Sequence, residues 1–135
     1  MKINYLATAN IPSKSANSLQ ITKMCDALSL LGHDVNLFIP NLNTLKVSIN
    51  DYYDLKNKFK VTKVGKKIDN IRGLNNFFLP LKIVLQSIKN RNETIYITRN
   101  LIISFFLILF KQKHIFELHD DLNIFVKKIT KIYSV

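Results

Sequence analysis

A chain of 135 residues, 47% of them hydrophobic, can bury one ordinary core and falls short of the length of two domains. Its single cysteine, Cys25, excludes a disulfide framework and a cysteine-based zinc site, which makes the cytoplasm the expected compartment. Lys+Arg 20 against Asp+Glu 9 gives a formal charge of +11, a balance that favours anionic partners, although a coding bias would scatter lysines in the same way.

The apolar stretch at the amino terminus is too short for a signal-peptide core, and no run approaches about 18 consecutive apolar residues. Neither a secretion signal nor a spanning helix is expected. Residues 2–7 alternate as a strand does, and the polar, proline-containing stretch 8–17 reads as a loop. From Ser18 the apolar positions Leu19, Ile21, Met24, Cys25, Leu28 and Leu31 recur at helical spacing. This predicts a helix capped by Asn17 or Ser18, with Gly32 just past its end.

Residues 34–39, closed by Pro40, form a second strand, and the helix between the two has the length that a parallel crossover needs. Residues 49–56 predict a short helix started by Ser48, and 59–64 a half-exposed strand. Helical periodicity returns over 79–88, with Pro80 expected in the first turn, before a compact strand at 94–98. Residues 101–110 are apolar all round and too short to span a bilayer, which predicts a helix buried against a sheet. A strand at 114–118 and a helix at 122–133 complete the alternation. The pattern predicts an α/β fold: a mostly parallel sheet of about five strands with helices on both faces and ligands at the carboxyl ends of the strands.

The opening block runs from a strand through Ile11-Pro12-Ser13 and Ala16-Asn17-Ser18 into a helix that closes Leu30-Leu31-Gly32-His33-Asp34-Val35. It resembles the start of family 4 glycosyltransferases of the GT-B fold. Tyr96-Ile97-Thr98-Arg99 and Phe116-Glu117-Leu118-His119-Asp120 are similar to that family's later strands, in the expected order. The resemblance implies a Rossmann-like domain, residues 1–135, that shapes the acceptor side of a two-domain enzyme. The donor-binding domain, with its two glutamates, has no counterpart in these residues, so the chain alone is expected to be inactive. It also implies a nucleotide-sugar as substrate, a glycan or lipid-linked acceptor, and no metal or other cofactor. One departure bears on mechanism: many relatives carry glycines in the loop after the first strand, where amides approach the donor phosphates, and residues 8–18 contain none.

On the residues alone His119 is an ordinary loop histidine beside Asp120, which can fix its tautomer. By resemblance the pair faces the cleft, and His119 contacts the sugar being transferred. Asn10, Ser13, Ser15 and Asn17 offer side-chain hydrogen bonds in a loop that feeds a helix amino terminus, a place that favours anions. Arg99 follows a strand; it either forks onto a phosphate or carboxylate in the cleft or forms a salt bridge at a helix start. Glu117 and Asp120 do not make a glycosidase pair, because one strand sends odd and even positions to opposite faces. His33, after the helix-ending Gly32, reads as structural. Cys25 reads as a small buried hydrophobe and not a nucleophile. Tyr52 and Tyr53 come with no nucleic-acid-binding motif, so nucleic acid is a minor alternative. Two functions follow: a transferase domain with peripheral contact to an anionic membrane surface, or a non-catalytic module for an anionic partner or another protein.

Overall fold

The computed structural model of the protein describes residues 1–41, 47–56, 59–65, 75–89 and 93–118. Strand and helix alternate along them: β1 (Lys2–Leu6), α1 (Ala16–Leu30), β2 (Asp34–Pro40), α2 (Ile49–Tyr53), β3 (Lys60–Val64), α3 (Asn75–Ser87), β4 (Thr94–Thr98), α4 (Leu101–Leu109) and β5 (His114–Phe116). The expected helix at 122–133 lies outside the described residues, as do His119 and Asp120.

The strands form one sheet in the order β3-β2-β1-β4-β5, and all four neighbouring pairs are parallel. This is the expected α/β architecture, Rossmann-like in its topology. Tyr5 of β1 lies opposite Leu37 of β2 and Ile97 of β4, so the odd-numbered residues of β1 share one face of the sheet. That face packs Ile3, Tyr5, Leu37, Ile39 and Ile97 against Ile21 and Cys25 of α1 and Tyr53 of α2. The opposite face packs Leu6, Phe38 and Tyr96 against Ile83 and Val84 of α3 and Ile103, Phe106 and Leu107 of α4. Each fully buried aliphatic side chain contributes about 1.5–3 kcal/mol relative to exposure, and these two clusters hold the three layers together.

The helix ends explain most differences from the sequence reading. α1 starts two residues earlier than expected, because Ser15, and neither Asn17 nor Ser18, is its cap: the Ser15 hydroxyl accepts from the Ser18 amide at 3.2 Å. Its far end is the expected one. Gly32 has φ +85, and the amides of Gly32 and His33 donate back to the carbonyls of Ser29 and Leu28. The buried face of α1 is Ser18, Ile21, Thr22 and Cys25, while Leu19, Met24 and Leu31 are exposed. Polar residues are accepted there because both hydroxyls are bonded, Ser18 to the Asn10 carbonyl and Thr22 to the carbonyls of Ser18 and Leu19.

α3 begins at Asn75, so Pro80 stands in its second turn and not its first. α4 is not buried on all sides: Ile103, Ser104, Phe106 and Leu107 face the sheet, and Leu101, Phe105, Ile108 and Leu109 face outward. One apolar helix layer covers each sheet face, so a helix apolar all round has one side left over.

Candidate functional site

Strand order decides where a ligand can enter. The chain passes from β1 to β2 and β3 in one direction, then returns to the other side of β1 for β4 and β5. The connections after β1 and β4 therefore diverge, with α1 against one face and α4 against the other. Between the carboxyl ends of β1 and β4 they leave a crevice, the position at which open parallel sheets bind ligands. A cleft of about 100 Å³ lies there, lined by Tyr5, Leu6, Ala7, Thr8, Ala9, Asn17, Ile21, Arg99 and Asn100.

Arg99 leaves β4 toward α1 and is held on both sides. Its Nε donates to Glu117 Oε2 at 2.7 Å, and Nη1 donates to Gln20 Oε1 at 2.8 Å and Asn17 Oδ1 at 3.5 Å. The pair with Glu117 is mostly shielded, the side chains being 17% and 20% exposed. The phenol of Tyr5 donates to the same Glu117 oxygen at 2.8 Å. Burial first, then the bond to the Glu117 carboxylate, pushes the Tyr5 phenol far above its ordinary range, so it is a fixed donor. Of the two roles open to Arg99, the salt bridge is the one observed. Its Nη2 donors meet no protein acceptor among the described residues, and the guanidinium still lines the cleft.

Both helices beside the cleft cap themselves. Asn100 Oδ1 accepts from the amides of Ile102 at 2.9 Å and Ile103 at 3.0 Å, while its Nδ2 donates to the Thr8 hydroxyl at 3.0 Å. Asn100 thus ties the start of α4 to the loop after β1. At α1 the hydroxyls of Ser13, Ser15 and Ser18 lie 2.7–3.1 Å from one another. The Tyr53 hydroxyl clamps this loop by accepting from the Ser13 amide and donating to the Ser13 carbonyl, both at 2.7 Å. Recognition in the cleft therefore falls to side chains, since several helix-start amides are already taken.

Among the residues singled out in the sequence, Asn17 and Arg99 meet in the cleft. Ser13 and Ser15 stand together at the start of α1, where their hydroxyls serve the cap. Asn10 is exposed and enters through its carbonyl, bonded to Ser18. His119 and Asp120 lie outside the described residues, which end at Leu118. Glu117 meets Arg99 and Tyr5 and no second carboxylate among its described contacts.

Tyr5, Thr8, Gln20, Tyr53 and Asn100 were not legible as site residues. Asn100 had a signal, an asparagine directly before an apolar helical run, which marks a cap. His114 lies 2.8 Å from the Ser104 hydroxyl and 3.2 Å from the Gln112 carbonyl. Cys25 is buried, and desolvation followed by the Glu117 charge pushes its thiol far above the ordinary range, in keeping with a packing role. No group of metal-ligating side chains occurs among the described residues. No family model matches the chain, and comparison with curated proteins finds no match.

Proposed function

We propose that the chain is the acceptor-side domain of a nucleotide-sugar-dependent glycosyltransferase acting on a glycan or lipid-linked acceptor at a membrane face. The observation that carries this reading is the cleft at the divergence of β1 and β4, lined by Arg99, Asn17, Asn100 and Thr8. Its volume of about 100 Å³ is well below the roughly 300–1,000 Å³ of a complete small-molecule site. That suits one wall of a site whose other wall belongs to a second domain.

In this reading Asn17, Thr8 and Asn100 offer donors and acceptors to sugar hydroxyls, and the Nη2 edge of Arg99 faces a phosphate or carboxylate. Glu117 and Tyr5 position that guanidinium without touching the substrate. His119, with Asp120 beside it, contacts the sugar being transferred. No protein nucleophile and no metal enter the scheme; the donor is held by a domain outside residues 1–135.

The test is a transfer assay on the protein read through past Val135, with labelled nucleotide-sugars. Transfer that falls by about tenfold or more in Arg99→Gln supports the reading. A second reading, a non-catalytic module for an anionic partner, rests on the formal charge of +11. Tight, strongly salt-dependent binding of duplex DNA by this chain would favour the module and overturn the transferase.

A further inference from the structure

The layer formed by α3 and α4 shows two outward stripes. On α4, Leu101, Phe105 and Ile108 follow one another at helical spacing and are 69%, 55% and 65% exposed, with Leu109 beside them. On α3, which packs beside α4, Phe78, Lys82 and Leu85 do the same, followed by Lys89 in the next turn, and all four are exposed. Phe77 joins the two helices through an edge contact with Phe106, ring centroids 5.0 Å apart, while staying half exposed.

The charge on this layer is mainly positive. The described charged side chains along α3, in its following turn, along α4 and in the connection to β5 are Lys82, Lys89, Lys111 and Lys113, all exposed. The opposite layer mixes Lys23 with Asp26, Asp51 and Asp54. Exposed Phe, Leu and Ile interleaved with lysines, which outnumber the exposed Glu93 just before β4 at the same end, match a bilayer surface. The aromatic and aliphatic groups enter the acyl boundary while the ammonium groups meet phosphates. No described helix is long and apolar enough to cross a membrane, so the contact is along the surface.

We infer that the outward face of α3 and α4 docks onto an anionic lipid bilayer through Phe78, Leu101, Phe105 and Ile108, with Lys82, Lys89, Lys111 and Lys113 on the headgroups. This deepens the membrane-face part of the functional reading and rests on that part alone, not on sugar transfer. Vesicle binding and transfer are separate measurements, so either can fail without the other.

Flotation with phosphatidylcholine vesicles, with and without phosphatidylglycerol, tests the inference on the chain as it stands. Binding is expected only with phosphatidylglycerol, and it should weaken by about tenfold when salt rises to several hundred millimolar. Phe105→Gln with Ile108→Gln should weaken it by about tenfold, as should Lys82→Gln with Lys111→Gln and Lys113→Gln. Leu19→Gln with Leu30→Gln, exposed on the opposite layer, should leave it unchanged. Far-ultraviolet circular dichroism confirms that each variant is folded. Binding equally well to neutral vesicles, no binding, or indifference to the α3 and α4 variants overturns the inference. So does a concentration-dependent dimer in sedimentation that Phe105→Gln with Ile108→Gln abolishes, because the face would then belong to a second copy.

Discussion

The phenol of Tyr5, in β1, reaches past β4 to donate a 2.8 Å hydrogen bond to Glu117, just beyond β5. Glu117 Oε2 also takes Arg99 Nε at 2.7 Å, so one carboxylate oxygen ties three neighbouring strands together at the rim where the cleft opens. The arrangement fixes Arg99 before any ligand arrives.

Replacing Glu117 should therefore loosen the rim more than the surface. Glu117→Gln leaves the guanidinium without its counter-charge while keeping an oxygen for Tyr5. With the pair largely shielded but not sealed, we expect a loss of about 1–2 kcal/mol in urea unfolding, with an unchanged slope. Unchanged stability would mean that solvent already screens the pair.

Alkaline pH should destabilise the fold in two steps. Cys25 and Tyr5 have folded-state values raised far above their unfolded ones, so the unfolded chain releases protons first and stability falls as pH rises. The decline begins near the unfolded thiol value of about 8.5 and steepens near the unfolded phenol value of about 10. In Cys25→Ala the first step should vanish from a pH series of thermal unfolding, leaving the second. A chain whose stability is flat from neutrality to about pH 10.5 would contradict both assignments.

Tyr53→Phe removes a hydroxyl that serves both the amide and the carbonyl of Ser13. The loop after β1 should lose about 1–2 kcal/mol of local stability, read as faster hydrogen exchange at the Ser13 amide. Exchange at the core amides of β1 should not change.

Asn100 separates two roles. Asn100→Ala removes the cap on α4 and should cost about 1–2 kcal/mol of stability. Asn100→Asp keeps the acceptor for Ile102 and Ile103 but loses the donor to Thr8, so it should remain nearly as stable while the cleft-side loop becomes more mobile. Equal losses in the two variants would mean that the link to Thr8 is the main contribution.

The layers of the fold were legible because period-two strands and period-3.6 helices leave different marks, and β1, β2, β4 and α2 fall close to where the spacing put them. The caps were harder. Ser15, Asn17 and Ser18 are all capable caps within four residues, and sequence does not say which backbone amide each will meet. The outward face of α4 was illegible for a different reason: LIISFFLIL carries no polar side to mark which half meets the sheet. The site was legible only in part. Asn17 and Arg99 were named and do meet, yet the partners of Arg99, Gln20 and Glu117, come from the second turn of α1 and the residue after β5, contacts that chain order does not reveal. Tyr5 looked like an ordinary core strand residue, which its buried ring is; only its hydroxyl belongs to the rim.

Whether ligands enter where β1 and β4 diverge can be read from an amide nuclear magnetic resonance titration of the chain with a sugar phosphate. Shifts are expected only at Thr8, Ala9, Asn17, Arg99 and Asn100, and they should be lost in Arg99→Gln. Shifts confined instead to α3 or to the amino-terminal ends of the strands, with the cleft residues unmoved at saturation, would contradict entry there.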